Sequence, residues 1–317
     1  MTRLPGFASA ARLLTSRRFV ILSYHGVVER PLLPSNVCHL PASIFEEQIR
    51  YVAQHYTPMH LDELLDRLDR GDDVPPRTAC VTFDDGFRTV STTAFPILSR
   101  YQVPATVFLV TSTLDTRQPA WPDRLFHGFS LTTRSAISFD GVQYELGDER
   151  ARASACRAVC GALKAMPQDA CEAAVEDLAR QLGVGPVPPE SPFATLDWDE
   201  VRALAETGLI RFGSHTHSHP ILSRCTPAVQ RRELEMSRDI LRERGLSAQL
   251  FAYPNGEPDD FTADTRRLLG ELGYRCGLTT IQGLNGRDED MFALRRVDVD
   301  AGAVGTRFAA VLTGFSD

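Results

Sequence analysis

The chain has 317 residues, 43% hydrophobic and 24% charged, with a net charge of −7. Acidic and basic residues are interspersed rather than blocked, which excludes the basic stripe of a nucleic-acid binder, and no run of about 18 apolar residues is present to cross a bilayer. Seven cysteines, an odd number scattered from Cys38 to Cys276, argue against a secreted disulfide framework and for reduced, mostly buried thiols.

The arginine-bearing stretch before Phe19 leads into a short apolar run, Phe19-Val20-Ile21-Leu22. That run is too short for a secretory signal, so a cytoplasmic location is expected. Residues 7–19 carry the pattern of a basic amphipathic helix, which would permit peripheral membrane contact; packing against the underside of the domain is the preferred expectation. Residues 19–24 read as a buried strand followed by His25, residues 44–55 and 61–68 as amphipathic helices, and 78–83 as a second strand. A helix over 93–101, despite Pro96, and a strand over 105–111 follow.

Residues 112–195 read as an insertion. Trp121 to Leu125, together with the alternating runs 136–139 and 142–144 joined by Asp140-Gly141, suggest a hairpin. Alanine-rich 150–166 and 168–182 suggest a helix pair broken at Pro167, and the proline-rich stretch 185–192 reads as a linker. After it, Asp197 caps a helix over 198–206 that ends at Gly208. Strands are expected at 210–213, 249–253, 275–279 and 293–297, and helices at 227–244, 263–272 and 304–312. Such alternation argues for a parallel sheet, open or closed.

Two runs carry chemistry. Thr82-Phe83-Asp84-Asp85-Gly86 ends a hydrophobic strand with adjacent carboxylates. Alternation sends neighbouring strand residues to opposite faces, so both serve one pocket only where Gly86 breaks the strand. In His215-Thr216-His217-Ser218-His219 the outer histidines are four apart, which in a single helical turn would place both rings on one ion and turn His217 away. Two neutral imidazoles and a carboxylate hold a zinc-like ion with positions left open, and a second carboxylate can take a proton from water.

These runs resemble the TFDDG and H-[ST]-x-x-H motifs of the polysaccharide deacetylases with NodB homology, carbohydrate esterase family 4. Residues 103–109, Gly213-Ser214, Pro220 and 251–256 resemble the flanking segments. The resemblance covers about residues 18–110 and 194–300, and it implies a distorted (β/α)7 barrel spanning 1–317, with 112–195 as its mainly helical insertion. It also implies Asp84 as general base and Asp85, His215 and His219 as metal ligands. Zinc suits that set best, with cobalt, nickel, manganese or iron as alternatives.

Departures from the family pattern are informative. The late Leu-x-His motif that usually supplies the general acid is absent, since no histidine follows His219. Ile21-Leu22-Ser23-Tyr24-His25-Gly26-Val27, however, resembles the first strand of the circularly permuted poly-N-acetylglucosamine deacetylase branch, which makes His25 the candidate acid. The R-x-P-[YFW] motif appears as Ala252-Tyr253-Pro254-Asn255 and has lost its arginine; the Asn255 backbone N–H remains as an oxyanion donor. Arg296 resembles an arginine of the permuted branch and is the candidate replacement. The expected function is metal-dependent removal of an acetyl group from an N-acetylated amino sugar. A non-sugar amide or cyclic imide hydrolase, or an inactive carbohydrate-binding relative, are the alternatives.

Overall fold

A computed structural model describes residues 18–30, 32, 36 and 38–313; the expected amphipathic segment at 7–19 lies almost wholly outside them. Strand β1 (Val20–Tyr24) buries every side chain, as a parallel strand covered on both faces must. Beyond it β2 (Gly26–Val28) and β3 (His39–Pro41) form a short parallel pair. Helices α1 (Ala42–His55) and α2 (Leu61–Arg70), with β4 (Thr57–Pro58) between them, lead to β5 (Thr78–Phe83). The chain then makes a π-helical turn at Val90–Ala94, runs through α3 (Phe95–Tyr101), where Pro96 sits harmlessly in the first turn, and enters β6 (Ala105–Leu109).

The segment after β6 begins with α4 (Trp121–Leu131), then a hairpin of β7 (Ala136–Phe139) and β8 (Val142–Glu145), then α5 (Glu149–Lys164) and α6 (Gln168–Leu182). Residues 121–125 therefore belong to a helix rather than to the hairpin. Pro122 lies in the helix's first turn, where its missing N–H costs nothing. Helix α4 packs against both α5 and α6, so the expected pair is a three-helix layer around Leu125, Phe129, Val159, Leu163 and Leu178. The proline-rich stretch is tied down: the Val187 N–H donates to Gln118 Oε1 at 2.8 Å, and Gln118 Nε2 donates back to the Val187 carbonyl at 3.0 Å.

Helix α7 (Trp198–Glu206) opens with a capping box between Asp197 and Glu200. It is followed by β9 (Ile210–Ser214), α8 (Pro227–Glu243), α9 (Ala263–Glu271), β10 (Leu278–Gln282), β11 (Leu294–Asp298) and α10 (Gly305–Val311). The parallel strands run in the order β10-β11-β1-β5-β6-β9. The expected strand at 249–253 is reduced to two bridges, Ser214 to Phe251 and Ala252 to Leu278, and these close the ring between β9 and β10. Five backbone hydrogen bonds of 2.8–3.0 Å hold that segment on its two sides. Gly213 permits the close approach, because a Cβ there would lie 2.9 Å from the Leu250 carbonyl oxygen. Counting this segment, seven positions complete a (β/α)7 barrel. Strand β10 starts three residues later than expected; Gly277 just before it donates to the Met291 carbonyl at 2.8 Å and accepts the Leu294 N–H at 3.0 Å, and its lack of a Cβ leaves room for the Tyr253 ring. Among the described residues no helix is long and apolar enough to cross a membrane.

Candidate active site

The C-terminal ends of parallel barrel strands collect polar side chains at one mouth. Tyr24 pairs with Phe83, so His25 and Asp84 leave β1 and β5 at the same level, and the Asp84 N–H donates to the Tyr24 carbonyl at 3.0 Å. The next two residues, Asp85 (φ 66°) and Gly86 (φ 65°), are both left-handed. Glycine takes that conformation freely, but an aspartate holds it at a cost of order 1 kcal/mol or more. The break expected of Gly86 thus begins one residue earlier, and it brings both carboxylates into the mouth.

His215 leaves β9 and its Nδ1–H donates to the Ala252 carbonyl at 2.8 Å, which leaves the Nε2 lone pair facing the pocket. The expected helical turn over 215–219 does not form. Thr216 (φ 66°) and His219 (φ 63°) are left-handed, and the Thr216 hydroxyl accepts the His219 N–H at 3.0 Å. This tight non-helical turn still brings the two rings to 4.9 Å between centroids. His217 points elsewhere, with Nδ1 3.0 Å from Thr111 Oγ1. Glu233 of α8 anchors the loop by accepting the His217 and Ser218 N–H groups at 3.0 and 2.8 Å and the Ser218 hydroxyl at 2.9 Å.

Asp85 Oδ1 is buried without an aligned hydrogen bond, 3.6 Å from His215 Nε2 and 3.3 Å from His219 Nε2. An ion with ~2.05 Å bonds to a tetrahedral donor set spaces its ligand atoms about 3.4 Å apart. The orphaned oxygen, the fixed His215 tautomer and these separations fit one divalent ion held by Asp85, His215 and His219. Burial pushes the His215 imidazole down to about 4, so it is neutral at physiological pH. Burial would raise the Asp85 carboxyl, but His219, His25 and His215 around it hold it far below the usual carboxylate range. Burial also opposes charge on His219, and there the adjacent Asp85 outweighs it, leaving that imidazole above the ordinary histidine value.

Asp84 points to the other side of the mouth. Arg296 grips it with two parallel hydrogen bonds, Nη1 to Oδ1 at 2.8 Å and Nη2 to Oδ2 at 2.7 Å, while Arg296 Nε donates to the Thr279 carbonyl at 2.7 Å. Both side chains are buried, at 0% and 3% exposure. Burial alone would raise the Asp84 pKa, yet the Arg296 charge, assisted by His215 and His25, keeps it below the ordinary value. Arg295, its neighbour, faces out.

His25 stands half-buried on the same rim, close enough that its charge acts on Asp84 and Asp85. Asn255 (φ 61°) occupies the loop after the closing segment, and its backbone N–H has no acceptor among the described residues. The six residues named from the sequence at Asp84, Asp85, His215, His219, His25 and Arg296 thus share one mouth, with Asn255 beside it. Two residues not foreseen come from the insertion. Lys164, the last residue of α5, donates to Asn255 Oδ1. Asp123 of α4 is buried within electrostatic range of Asp85 and His219. A tryptophan–proline pair opening a helix that leads to an unpaired acid was the only local signal for it.

The sequence profile of the polysaccharide deacetylases matches residues 71–277. YxkH of Bacillus subtilis is 22% identical over 299 residues, covering 92% of this chain and 75% of that protein. The poly-beta-1,6-N-acetyl-D-glucosamine N-deacetylase of Staphylococcus epidermidis is 29% identical over 104 residues, so that match spans only 32% of either chain. Among solved structures, the Streptococcus pyogenes deacetylase PplD in complex with acetate superposes with a TM-score of 0.64 at 17% identity, covering 93% of this chain and 98% of that one. The barrel matches that of the solved deacetylase, and the matched profile spans both the strand that delivers the carboxylates and the turn that delivers the histidines: the chain belongs to the polysaccharide deacetylase family.

Proposed function

We propose that this chain removes the acetyl group from the nitrogen of an amino sugar, carried in a glycan, a lipid-linked sugar or a small glycoside. The observation that carries the reading is the juxtaposition of a fixed, ionised carboxylate, Asp84 on Arg296, with the empty-handed donor set of Asp85, His215 and His219. Asp85, His215 and His219 would hold a divalent ion, zinc by preference, which would supply Lewis acidity for the acetyl carbonyl and for the attacking water. Asp84 accepts the proton of the attacking water, and Arg296 keeps that carboxylate ionised and aimed. The Asn255 N–H donates to the oxyanion that forms as the carbonyl carbon becomes tetrahedral. His25 delivers a proton to the departing nitrogen, so that the C–N bond breaks to a neutral amine and acetate. The whole chain acts as one barrel, and residues 112–195 wall its substrate cleft.

Family membership and the partial match to the Staphylococcus epidermidis deacetylase support the N-acetylglucosamine class of substrate. The test is incubation of zinc- or cobalt-loaded protein with β-1,6-linked N-acetylglucosamine oligomers, a lipid-linked N-acetyl sugar and simple N-acetyl glycosides. Mass spectrometry should record loss of one acetyl group from at least one of them. A metal-loaded protein that leaves every acetylated amino sugar intact overturns the reading.

A further inference from the structure

Asp123 is difficult to explain as a structural residue. Its side chain is 7% exposed, and its one hydrogen bond among the described residues is a long contact, 3.5 Å, from Asn36 Nδ2. No cation among the described residues lies within salt-bridge distance of it. It sits in the first turn of α4 yet does not cap that helix, whose N-cap Ala120 makes no side-chain bond. Burying a carboxylate with so little compensation costs stability, and a fold selected only for packing would place an apolar side chain there.

The position indicates what offsets this cost. Asp123 faces the metal-ligating side of the mouth, near Asp85 and His219, on an element that the barrel itself does not supply. The same insertion touches the mouth a second time, through Lys164 on Asn255. Helix α4 and the end of α5 therefore both reach the rim, with Lys164 near enough for its charge to act on Asp123, and Asp123 lies where a sugar bound beside Asp85 can meet it. A carboxylate with free lone pairs needs donors. In a 2-acetamido sugar the carbon next to the acetamido-bearing one on the side away from the glycosidic bond carries a free hydroxyl, so a donor is at hand beside the reacting group.

We propose that Asp123 is a specificity-determining residue that accepts a hydrogen bond from a sugar hydroxyl next to the acetamido group, supplied by the insertion and absent from the barrel's own chemistry. The proposal rests on the deacetylase reading above. Its consequence is discrimination: a site that leaves a buried acceptor waiting for a hydroxyl penalises an acetyl compound that has none.

The test compares wild type with Asp123→Asn and Asp123→Ala, all zinc-loaded, on a β-1,6-linked N-acetylglucosamine pentamer and on 4-nitrophenyl acetate, which carries no sugar. The ratio of kcat/KM for the sugar to that for the ester should fall roughly 10- to 100-fold in Asp123→Ala and less in Asp123→Asn, as expected for one hydrogen bond to a charged acceptor. Zinc content should stay stoichiometric, and the Tm of Asp123→Asn should equal or exceed that of wild type, because an unmatched buried charge has been removed. A structural role predicts the reverse, a lower Tm with parallel losses on both substrates, and that result overturns the proposal. So does an unchanged ratio in variants of an active wild type, in which case the deacetylase reading stands alone. A wild type that cleaves the ester but no acetylated sugar removes both.

Discussion

The barrel and the insertion meet at one mouth but treat charge in opposite ways. On the barrel side the proposed base is matched: Asp84 lies in the two-pronged grip of Arg296, and the loop carrying the histidines is tied by three hydrogen bonds to Glu233. On the insertion side Asp123 is buried with one long hydrogen bond among the described residues, and Lys164 reaches from an exposed helix end to a loop amide. A matched charge is fixed before any ligand arrives, which is what transition-state stabilisation requires. An unmatched one is completed by what binds.

Substitutions on the barrel side should therefore give the largest effects. Asp84→Asn keeps the shape of the base but cannot accept a proton, so kcat should fall by on the order of 10² to 10⁴ with metal content unchanged; His215→Ala should instead lose the ion, since two donors hold it poorly. Elemental analysis beside kinetics separates the two, and loss of metal in Asp84→Asn would exchange the roles of the paired aspartates. Arg296→Ala strands a buried carboxylate and should cost about 3–5 kcal/mol in urea unfolding. An unfolding free energy close to wild type would mean that Asp84 finds another partner and that the grip is dispensable.

Smaller effects test the rim. His25→Ala should depress amide cleavage by roughly 10² or more while sparing an activated acetate ester, because an amine leaves badly unless protonated and a nitrophenolate does not. Equal losses on both would assign His25 a positional role. The smallest effect is a dependence on pH. In metal-free protein, burial and the neighbouring Asp85 push Asp123 up to about 7. Its folded-state pKa lies above that of the unfolded chain, so the folded state binds more protons between about 4 and 7 and stability is lost as pH rises through that window. Asp123→Asn should stabilise the metal-free protein more at pH 8 than at pH 5, by thermal unfolding; an equal shift at both pH values would refute the raised pKa.

Much of the barrel side is legible in the sequence because its signals are local. Five buried residues ending at His25, and a six-residue strand ending at Asp84, are readable as strands with a polar tip. The turn that unites His215 and His219 is not, since it depends on left-handed Thr216 and His219, a conformation that neither residue type favours and that only the surrounding loop imposes. Four-residue spacing suggested a helical turn, and a different backbone reached the same ring contact. The closing segment at 249–253 reads as a full strand because its side chains are mostly apolar, but ladder pairing depends on non-local register. Asp123 and Lys164 escape for a related reason. Beyond the Trp121-Pro122 pair, nothing near them in the chain announces that α4 and the end of α5 reach the mouth of the barrel.

Arg296 holds a further consequence. From β11 its guanidinium reaches the Thr279 carbonyl of β10, and then Asp84 and, at 3.4 Å, the Thr82 hydroxyl at the end of β5. One side chain thus fills the bore of the ring and cross-ties three of its staves. Lysine could replace the charge but not the fork, so a change at either end disturbs the fit of the Asp84 carboxylate in the interior. The two residues are a single unit of inheritance: a substitution that removes the charge of one leaves the other's buried charge unmatched. The positions on the insertion carry no such bond. They are free to vary one at a time, so new substrate preferences would arise there first, at little risk to the chemistry beneath.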